Sequence, residues 1–393
     1  MPTLSSRDRM LAVLNYQQPD YVPLVFNAFG FQPPPGIRWG DHFEQAEGWL
    51  SLGVDAWLHI HPPQSFDPAV TVREWEETPP GERYPVMVKE YVTPGGVLRQ
   101  EVYRTEDWVT PEWPGHKDGA PHIELFDDYN VARYRRALVN SEADVAALKY
   151  LLCLPSGDEL ARFRENAAHV ARRARELGVL VVGSGPGGVD IAVWLCGVRN
   201  LLDMALDRPA LFAELMDAIQ EWDERRMALL LDTPVDLVIR RGYYEGTSFW
   251  SPAIFRRYFA PGLRKLATMV HQAGRRMAYT MSVGYLPLLD DLAGLGHDAH
   301  YLLDPLPEGR RADLLRVKAA YEGRVAVIGG LNEPITLEFG TRDEIRKEVF
   351  SSVEMLGKGG GLCLSPAEAI MASTPWSSLL TLIEAWKECR EYA

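Results

Sequence analysis

Met277-Ala-Tyr-Thr-Met281 is an apolar run of strand length lying between two stretches of helix length, and this alternation repeats to the end of the chain. The stretch before it, Ala253–Gln272, is opened by Ser251-Pro252 and closed by Gly274, ordinary start and stop signals of a helix. After it come Ala299–Leu302, Val325–Ile328 and Gly361–Leu364, separated by amphipathic segments. Each unit is roughly 30 residues, the size of a strand–helix–strand element. Towards the N-terminus the same reading adds Leu237–Ile239, Val179–Val182, Ala56–Ile60 and Val22–Asn27. Alternation of this kind predicts a parallel sheet, and eight such runs predict an α/β fold, a single (β/α)8 TIM barrel over residues 1–393.

Two stretches break the alternation. Within residues 70–107, Val70-Thr-Val-Arg-Glu-Trp, Val86–Val92 and Val97–Tyr103 read as strands, and Thr93-Pro-Gly-Gly96 reads as the turn of an antiparallel hairpin or meander. Residues 108–130, with Trp108, Pro111, Trp113, Pro114 and Pro121, read as irregular loop. The insertion, at about residues 70–130, follows the second predicted strand and so leaves the barrel at its catalytic end, where it forms either a lid or a plain cover.

Charge narrows the partners. Lys and Arg total 41 against 54 Asp and Glu, a formal charge of −13, and this acidic excess argues against nucleic acid. No window reaches the roughly 18 apolar residues of a membrane span. Met1 to Asn15 lacks the apolar stretch of a secretory signal. The four cysteines, Cys153, Cys196, Cys363 and Cys389, show neither zinc-knuckle nor disulfide spacing, which fits a reducing cytoplasm.

Several motifs fall at predicted strand ends. Gly183-Ser-Gly-Pro-Gly-Gly188 satisfies GxGxxG, but a dinucleotide fingerprint needs a further strand bearing an acidic residue, and Asp203 lies in a helical pattern instead. A glycine-rich turn at the barrel mouth is the simpler reading. Strand two ends in His59-Ile60-His61, whose period of two puts both imidazoles on one side, as metal ligands or as hydrogen-bonding groups. A metal site there lacks an identifiable third ligand. Strand four leads into Arg240-Arg-Gly-Tyr243-Tyr244-Glu245-Gly-Thr-Ser-Phe-Trp250, a loop with cations, phenols, a carboxylate and an indole. In it Glu245 is a candidate general acid or base, and Arg240 or Arg241 a clamp for a substrate carboxylate. Strand five supplies Tyr279, Thr280 and Ser282; neither hydroxyl has an adjacent base, so no nucleophile is indicated. The later strands end in Asp304, in Asn332-Glu333 and in Glu368, each able to cap a helix or to touch substrate.

Taken in order, Ser6–Asn15, Pro19-Asp-Tyr-Val-Pro-Leu24, Leu52-Gly-Val-Asp-Ala56, Ser251–Pro261, Leu286–Leu289 with Gly296-His-Asp-Ala299, Gly329-Gly330, Leu364-Ser-Pro366 and Thr374-Pro375 resemble the uroporphyrinogen decarboxylase superfamily, whose other branch holds cobalamin-linked methyltransferases. The likeness covers nearly the whole chain. It implies one (β/α)8 barrel, a homodimer in many members, with its pocket at the strand C-termini. The decarboxylases carry an Arg-Gln-Ala-Gly-Arg stretch where this chain has Asn27-Ala-Phe-Gly-Phe31, and their strand-two aspartate and late histidine fall near His61-Pro62 and Glu368. The thiol-directed methyltransferases hold zinc through a His-x-Cys that here reads Thr280-Met-Ser282, and through a late Cys that falls at Ala367-Glu368. Hydroxyls do not replace imidazole and thiolate on zinc, so no metal is expected. The resemblance therefore implies an enzyme moving a methyl group between a small-molecule substrate and a corrinoid protein or pterin. No cofactor is held tightly by the chain itself; the corrinoid belongs to a partner. Glu245, Glu368 and Tyr243 are the catalytic candidates, and His59, His61, Arg240, Tyr244, Trp250, Tyr279, Thr280 and Ser282 the substrate-binding ones. A cofactor-free decarboxylase, or a ligand-binding barrel without chemistry, is the alternative.

Overall fold

The computed structural model describes residues 4–28, 30, 32–106, 122–306 and 312–392. The chain gathers into two compact units, one of Met1–His61, Arg162–Pro186 and Met227–Ala393, the other of Pro62–Ala161 and Gly187–Arg226. Along the chain the strands are β1 (Trp57–Ile60), β2 (Thr71–Glu77), β3 (Val86–Thr93), β4 (Gly96–Tyr103), β5 (Tyr134–Arg136), β6 (Leu180–Ser184), β7 (Leu237–Arg240), β8 (Arg276–Thr280), β9 (Ala299–Leu303), β10 (Ala326–Asn332) and β11 (Leu362–Ala367).

In the first unit, seven strands form a parallel sheet in the order β1-β6-β7-β8-β9-β10-β11. Each neighbour is the next strand of the sheet in the chain, a TIM-like winding. A doubly wound dinucleotide-binding sheet would reverse its order midway, so that topology is excluded. The first predicted strand, Val22–Asn27, is not a regular strand. It makes isolated parallel bridges instead, Leu24 to Leu364 of β11 and Val25 to Asp55 just before β1, with Val25 donating to the Leu364 carbonyl at 3.0 Å and Asp55 to that of Leu24 at 2.8 Å. Pro23 removes one ladder donor at this point.

Strand alternation sorts the side chains of this sheet. Trp57, Leu180, Val182, Leu237, Ile239, Ala278, Ala299, Tyr301, Ile328 and Cys363 share one buried cluster, joined by Met10, Val13 and Leu14 from the helix Ser6–Leu14. Arg9 on that helix is buried and ion-paired at 2.6 Å with both Asp20 and Asp55, so a cation sits among apolar neighbours without being left uncompensated. The helix after β7 starts as its sequence predicts, the Ser251 hydroxyl accepting from the Ile254 amide and Pro252 at the first position. Its second turn, Phe255–Phe259, is a π-helical segment that the spacing did not predict.

The second unit contains a four-stranded antiparallel sheet, β2-β3-β4-β5. Thr93 pairs with Gly96 across the predicted turn, its hydroxyl accepting from the Gly95 amide at 3.1 Å. Met87, Val102 and Ile123 form its core, with Tyr134 against them. β5 went unread because three residues are too short for a period-two signal. Of the loop assigned to 108–130, residues 108–121 lie outside the described residues, and Asp128–Val131 is a helical turn. Among the described residues no helix is long and apolar enough to cross a membrane.

Candidate active site

Side chains that are register partners in a parallel sheet share a face. On the face of the buried cluster, His59 follows Trp57, Ser184 follows Val182 and Thr280 follows Ala278, each at the strand's C-terminal end. The His59 and His61 rings stack at 5.4 Å and 20°, so the two imidazoles do lie together as their spacing implied. Trp57 meets His59 edge-on at 6.0 Å and Tyr301 edge-on at 5.9 Å. Burial, aided by His61 and His42, pushes the His59 pKa down to about 3, so this ring is neutral near pH 7 and offers hydrogen bonds and a flat face rather than charge. Among the described residues, no three His, Cys, Asp or Glu side chains are placed to hold a metal.

Tyr301 is a buried member of the same cluster. It pairs in register with Thr280. Burial raises its phenol well above the usual tyrosine range; Tyr243, Cys363 and Glu368 push it in the same direction, and Arg241 opposes them. The charges that reach it come from Arg241 and Tyr243 in the loop after β7 and from Glu368, the residue after β11. Tyr243 packs against the buried cluster, and the Arg241 guanidinium lies 5.3 Å from the Tyr243 ring centre. Glu368 has φ 66°, a left-handed conformation that costs a non-glycine residue about 1–2 kcal/mol and redirects its side chain at the strand end. The Thr280 and Ser282 hydroxyls are 1% exposed and have no hydrogen-bond partner among the described residues. An orphaned buried hydroxyl costs about 1–3 kcal/mol, which a ligand acceptor would relieve.

Arg240, Tyr279 and Glu245 are assembled elsewhere. Arg240 and Tyr279 are register partners on the opposite face from Ile239 and Ala278. Glu245 joins them there, fully buried, paired with the Arg240 guanidinium at 2.7 Å and accepting from the Tyr279 hydroxyl. His297 packs edge-on against Tyr279 at 5.7 Å. Adjacent strand residues point to opposite faces, so the side chains of Tyr279 and Thr280, both named from sequence, stand on opposite faces of β8. Tyr244 and Trp250 brace the loop itself, the indole donating to the Tyr244 carbonyl at 2.7 Å. Thr247 fastens the loop to the next one through its amide and hydroxyl, both donating to the Gly284 carbonyl. Gly246 is required there because a Cβ would collide with the Val283 carbonyl.

The glycine-rich turn is occupied by its own protein. The Gly187 and Gly188 amides donate to the carboxylate of Asp223, fully buried, at 3.1 and 2.8 Å. Amides that would cradle a phosphate are therefore already neutralised by an anion. Of the strand-end residues Asn332 acts as a helix cap, its side chain accepting from the Ile335 and Thr336 amides and donating to both Asp304 oxygens, while Glu333 accepts from the Thr374 hydroxyl.

Sequence reasoning missed Tyr301. The available signal was the small–large alternation Ala299, Tyr301 on one face of β9, which marks a large polar-tipped side chain pointing into the barrel. The zinc implied for thiol-directed relatives does not fit, since the donors at that place are two neutral hydroxyls. Elemental analysis of the purified chain is expected to find no stoichiometric zinc; about one zinc per chain, lost on Thr280→Val or Ser282→Ala, would contradict this.

The sequence matches the family model described as uroporphyrinogen decarboxylase over residues 127–389. No curated protein sequence matches it. Among solved structures, a methyltransferase from Methanosarcina mazei is similar over 98% of this chain and 99% of its own, with TM-score 0.58 and 17% identity. A D-psicose 3-epimerase from Clostridium cellulolyticum H10 matches over 57% of this chain and 83% of its own, with TM-score 0.37 and 10% identity.

Proposed function

This chain belongs to the uroporphyrinogen decarboxylase family, and on that premise we propose that it is an enzyme transferring a methyl group between a small organic substrate and a corrinoid protein or pterin, without zinc. The observation that carries the reading is the pair of buried Thr280 and Ser282 hydroxyls without a partner among the described residues, at the end of β8 on the face that also bears His59 and Tyr301. The structural likeness to the Methanosarcina mazei methyltransferase directs the choice of reaction class. We read residues 22–28 as the eighth stave of the barrel, since they bridge to β11 and to the residue before β1.

When a methyl group leaves a heteroatom, that atom keeps the bonding electron pair and becomes a strong base. A metal or a proton must neutralise it, and this site's donor set favours a proton. In this reading Glu368 is the reservoir of that proton, Thr280 and Ser282 hydrogen-bond an acceptor atom of the substrate, and the stacked His59 and His61 rings provide a flat wall. Arg240, Tyr279 and Glu245 hold the loop that presents Arg241 and Tyr243, and Tyr244 and Trp250 stiffen it.

The test is methyl transfer to free reduced cobalamin from a panel of O-, N- and S-methyl compounds. Turnover is expected with at least one, and Glu368→Gln is expected to lower it about 10²-fold while the chain still folds. A second reading rests on Arg241 beside the Tyr301 phenol, a carboxylate clamp next to a proton donor, which is what decarboxylation needs. Carbon dioxide release without methyl transfer would establish it, and ligand binding with neither would make the chain a binding barrel.

A further inference from the structure

We propose that His300 is a positioning residue for the candidate site: its ring holds the Met281 peptide, and so aims the Thr280 and Ser282 hydroxyls on either side of it at the acceptor atom of the substrate. The inference rests on the methyl-transfer reading above for what the hydroxyls bind, and adds what holds them.

Met281 lies just past the ladder. Pairing of β8 with β9 stops at Thr280 and Tyr301, and the next residue of β9, Leu302, takes a left-handed φ of 59°, strain of the kind that persists beside functional sites. The His300 ring stands in for a ladder donor, its Nε2 lying 2.7 Å from the Met281 carbonyl oxygen. A carbonyl only accepts, so Nε2 carries the proton, and Nδ1 is left to accept from the Tyr321 hydroxyl at 2.8 Å. Tyr285 stands edge-on to the ring at 5.2 Å, its own hydroxyl donating to the Asp304 carbonyl at 2.7 Å. His300, Tyr321 and Tyr285 are all buried, so these bonds are made away from bulk solvent and fix both the tautomer and the orientation of the ring.

Three residues after Met281 the same segment is held again, the Gly284 carbonyl accepting from the Thr247 amide at 2.9 Å and from the Thr247 hydroxyl at 2.8 Å. With the backbone fastened at Met281 and Gly284, the buried Thr280 and Ser282 hydroxyls are left without a partner among the described residues, donors set in advance for a ligand atom. Hydrogen bonds to a departing heteroatom strengthen as charge develops on it. Donors aimed wrongly therefore lower kcat more than they raise KM.

Two substitutions separate positioning from packing: His300→Leu removes the donor, whereas His300→Gln places an amide nitrogen about where Nε2 lies. With free reduced cobalamin and whichever O-, N- or S-methyl compound the wild type turns over fastest, His300→Leu is expected to lower kcat about 10-fold or more with KM within a few-fold, and His300→Gln to recover most of the loss. Hydrogen exchange read by mass spectrometry needs no turnover. The amides of residues 281–284 should exchange about 10-fold faster with His300→Leu than with His300→Gln, and the other strands should be unchanged. Tyr321→Phe, which removes only the hydroxyl that fixes the tautomer, should show both effects in weaker form, so the proposal stays testable even where His300→Leu folds poorly. Equal losses of turnover with His300→Leu and His300→Gln, or faster exchange spread over every strand, would overturn the proposal and leave the methyl-transfer reading intact. A wild-type chain that turns over no methyl compound would overturn that reading, and with it the role given to the hydroxyls, whatever the exchange rates show.

Discussion

Acidification from pH 7 to pH 5 is expected to remove about 4 kcal/mol of stability through His297 and His300, with a smaller further loss at His59. His297 and His300 are buried, and burial lowers their pKa values from 6.5 to about 3 and about 4, with His300 adding to the effect on His297. The His300 ring is fixed in its neutral form: Nε2–H donates to the Met281 carbonyl at 2.7 Å, and Nδ1 accepts from the Tyr321 hydroxyl at 2.8 Å. A second proton would leave Tyr321 donating to a nitrogen with no lone pair. Neither nitrogen of His297 has a hydrogen-bond partner among the described residues, so no acceptor there would meet an imidazolium. Folded-state values below the unfolded one mean that the unfolded chain binds protons that the native chain does not, so stability falls as pH falls through 6.5 and levels off only near pH 3–4. At pH 5 each buried ring has lost about 2 kcal/mol. His59 contributes less because the residue is only half-buried. Urea midpoints measured at pH 7, 6 and 5 should fall steeply in the wild type, and His297→Phe should flatten the curve. A midpoint independent of pH over this range would show that the two rings are solvated.

Replacing Glu245 by Gln is expected to cost about 3 kcal/mol or more of stability, the usual effect of removing one partner of a buried ion pair. Arg240 is 3% exposed and cannot reach water when its partner at 2.7 Å loses its charge. Gln keeps the shape and can still accept from Tyr279, so the loss reports the charge rather than the packing. Sequence reading expects Glu245 to matter more for turnover than for stability. On its placement we expect stability to bear the larger effect, because the carboxylate lies with Arg240 and Tyr279 on the face away from the Trp57–Tyr301 cluster. Turnover should still fall, since the same loop carries Arg241 and Tyr243, and Tyr279→Phe should reproduce a smaller part of both effects. Thermal melting and urea unfolding of the two variants, set beside turnover per folded molecule, check this. Unchanged stability with a 10²-fold loss of turnover would return Glu245 to direct chemistry.

The barrel-like winding was legible because each strand run is short, apolar and followed by an amphipathic helix with its own caps, all of them local features. Seven of the eight predicted runs are strands; the eighth, at Val22–Asn27, contributes bridges only, and nothing local distinguishes a bridge from a short strand. The Thr93–Gly96 hairpin was legible for the same reason. His59 and His61 were readable as neighbours because a period of two is a property of the strand alone. Which parity of each strand turns towards the others is not local. Arg240, Glu245 and Tyr279 look like catalytic groups among the strand-end residues, and only the register between β7 and β8 shows that the three form one buried cluster on the face opposite Ile239 and Ala278. Tyr301 carried no motif, and the residues whose charges reach it come from segments more than fifty residues away in either direction along the chain. The sequence by itself determined the alternation of strands and helices, the caps and the hairpin, since these depend on residues within a few positions of one another. The tertiary structure alone decided which polar groups meet, because strand register and the φ of Glu368 are set by packing across the sheet rather than along the chain.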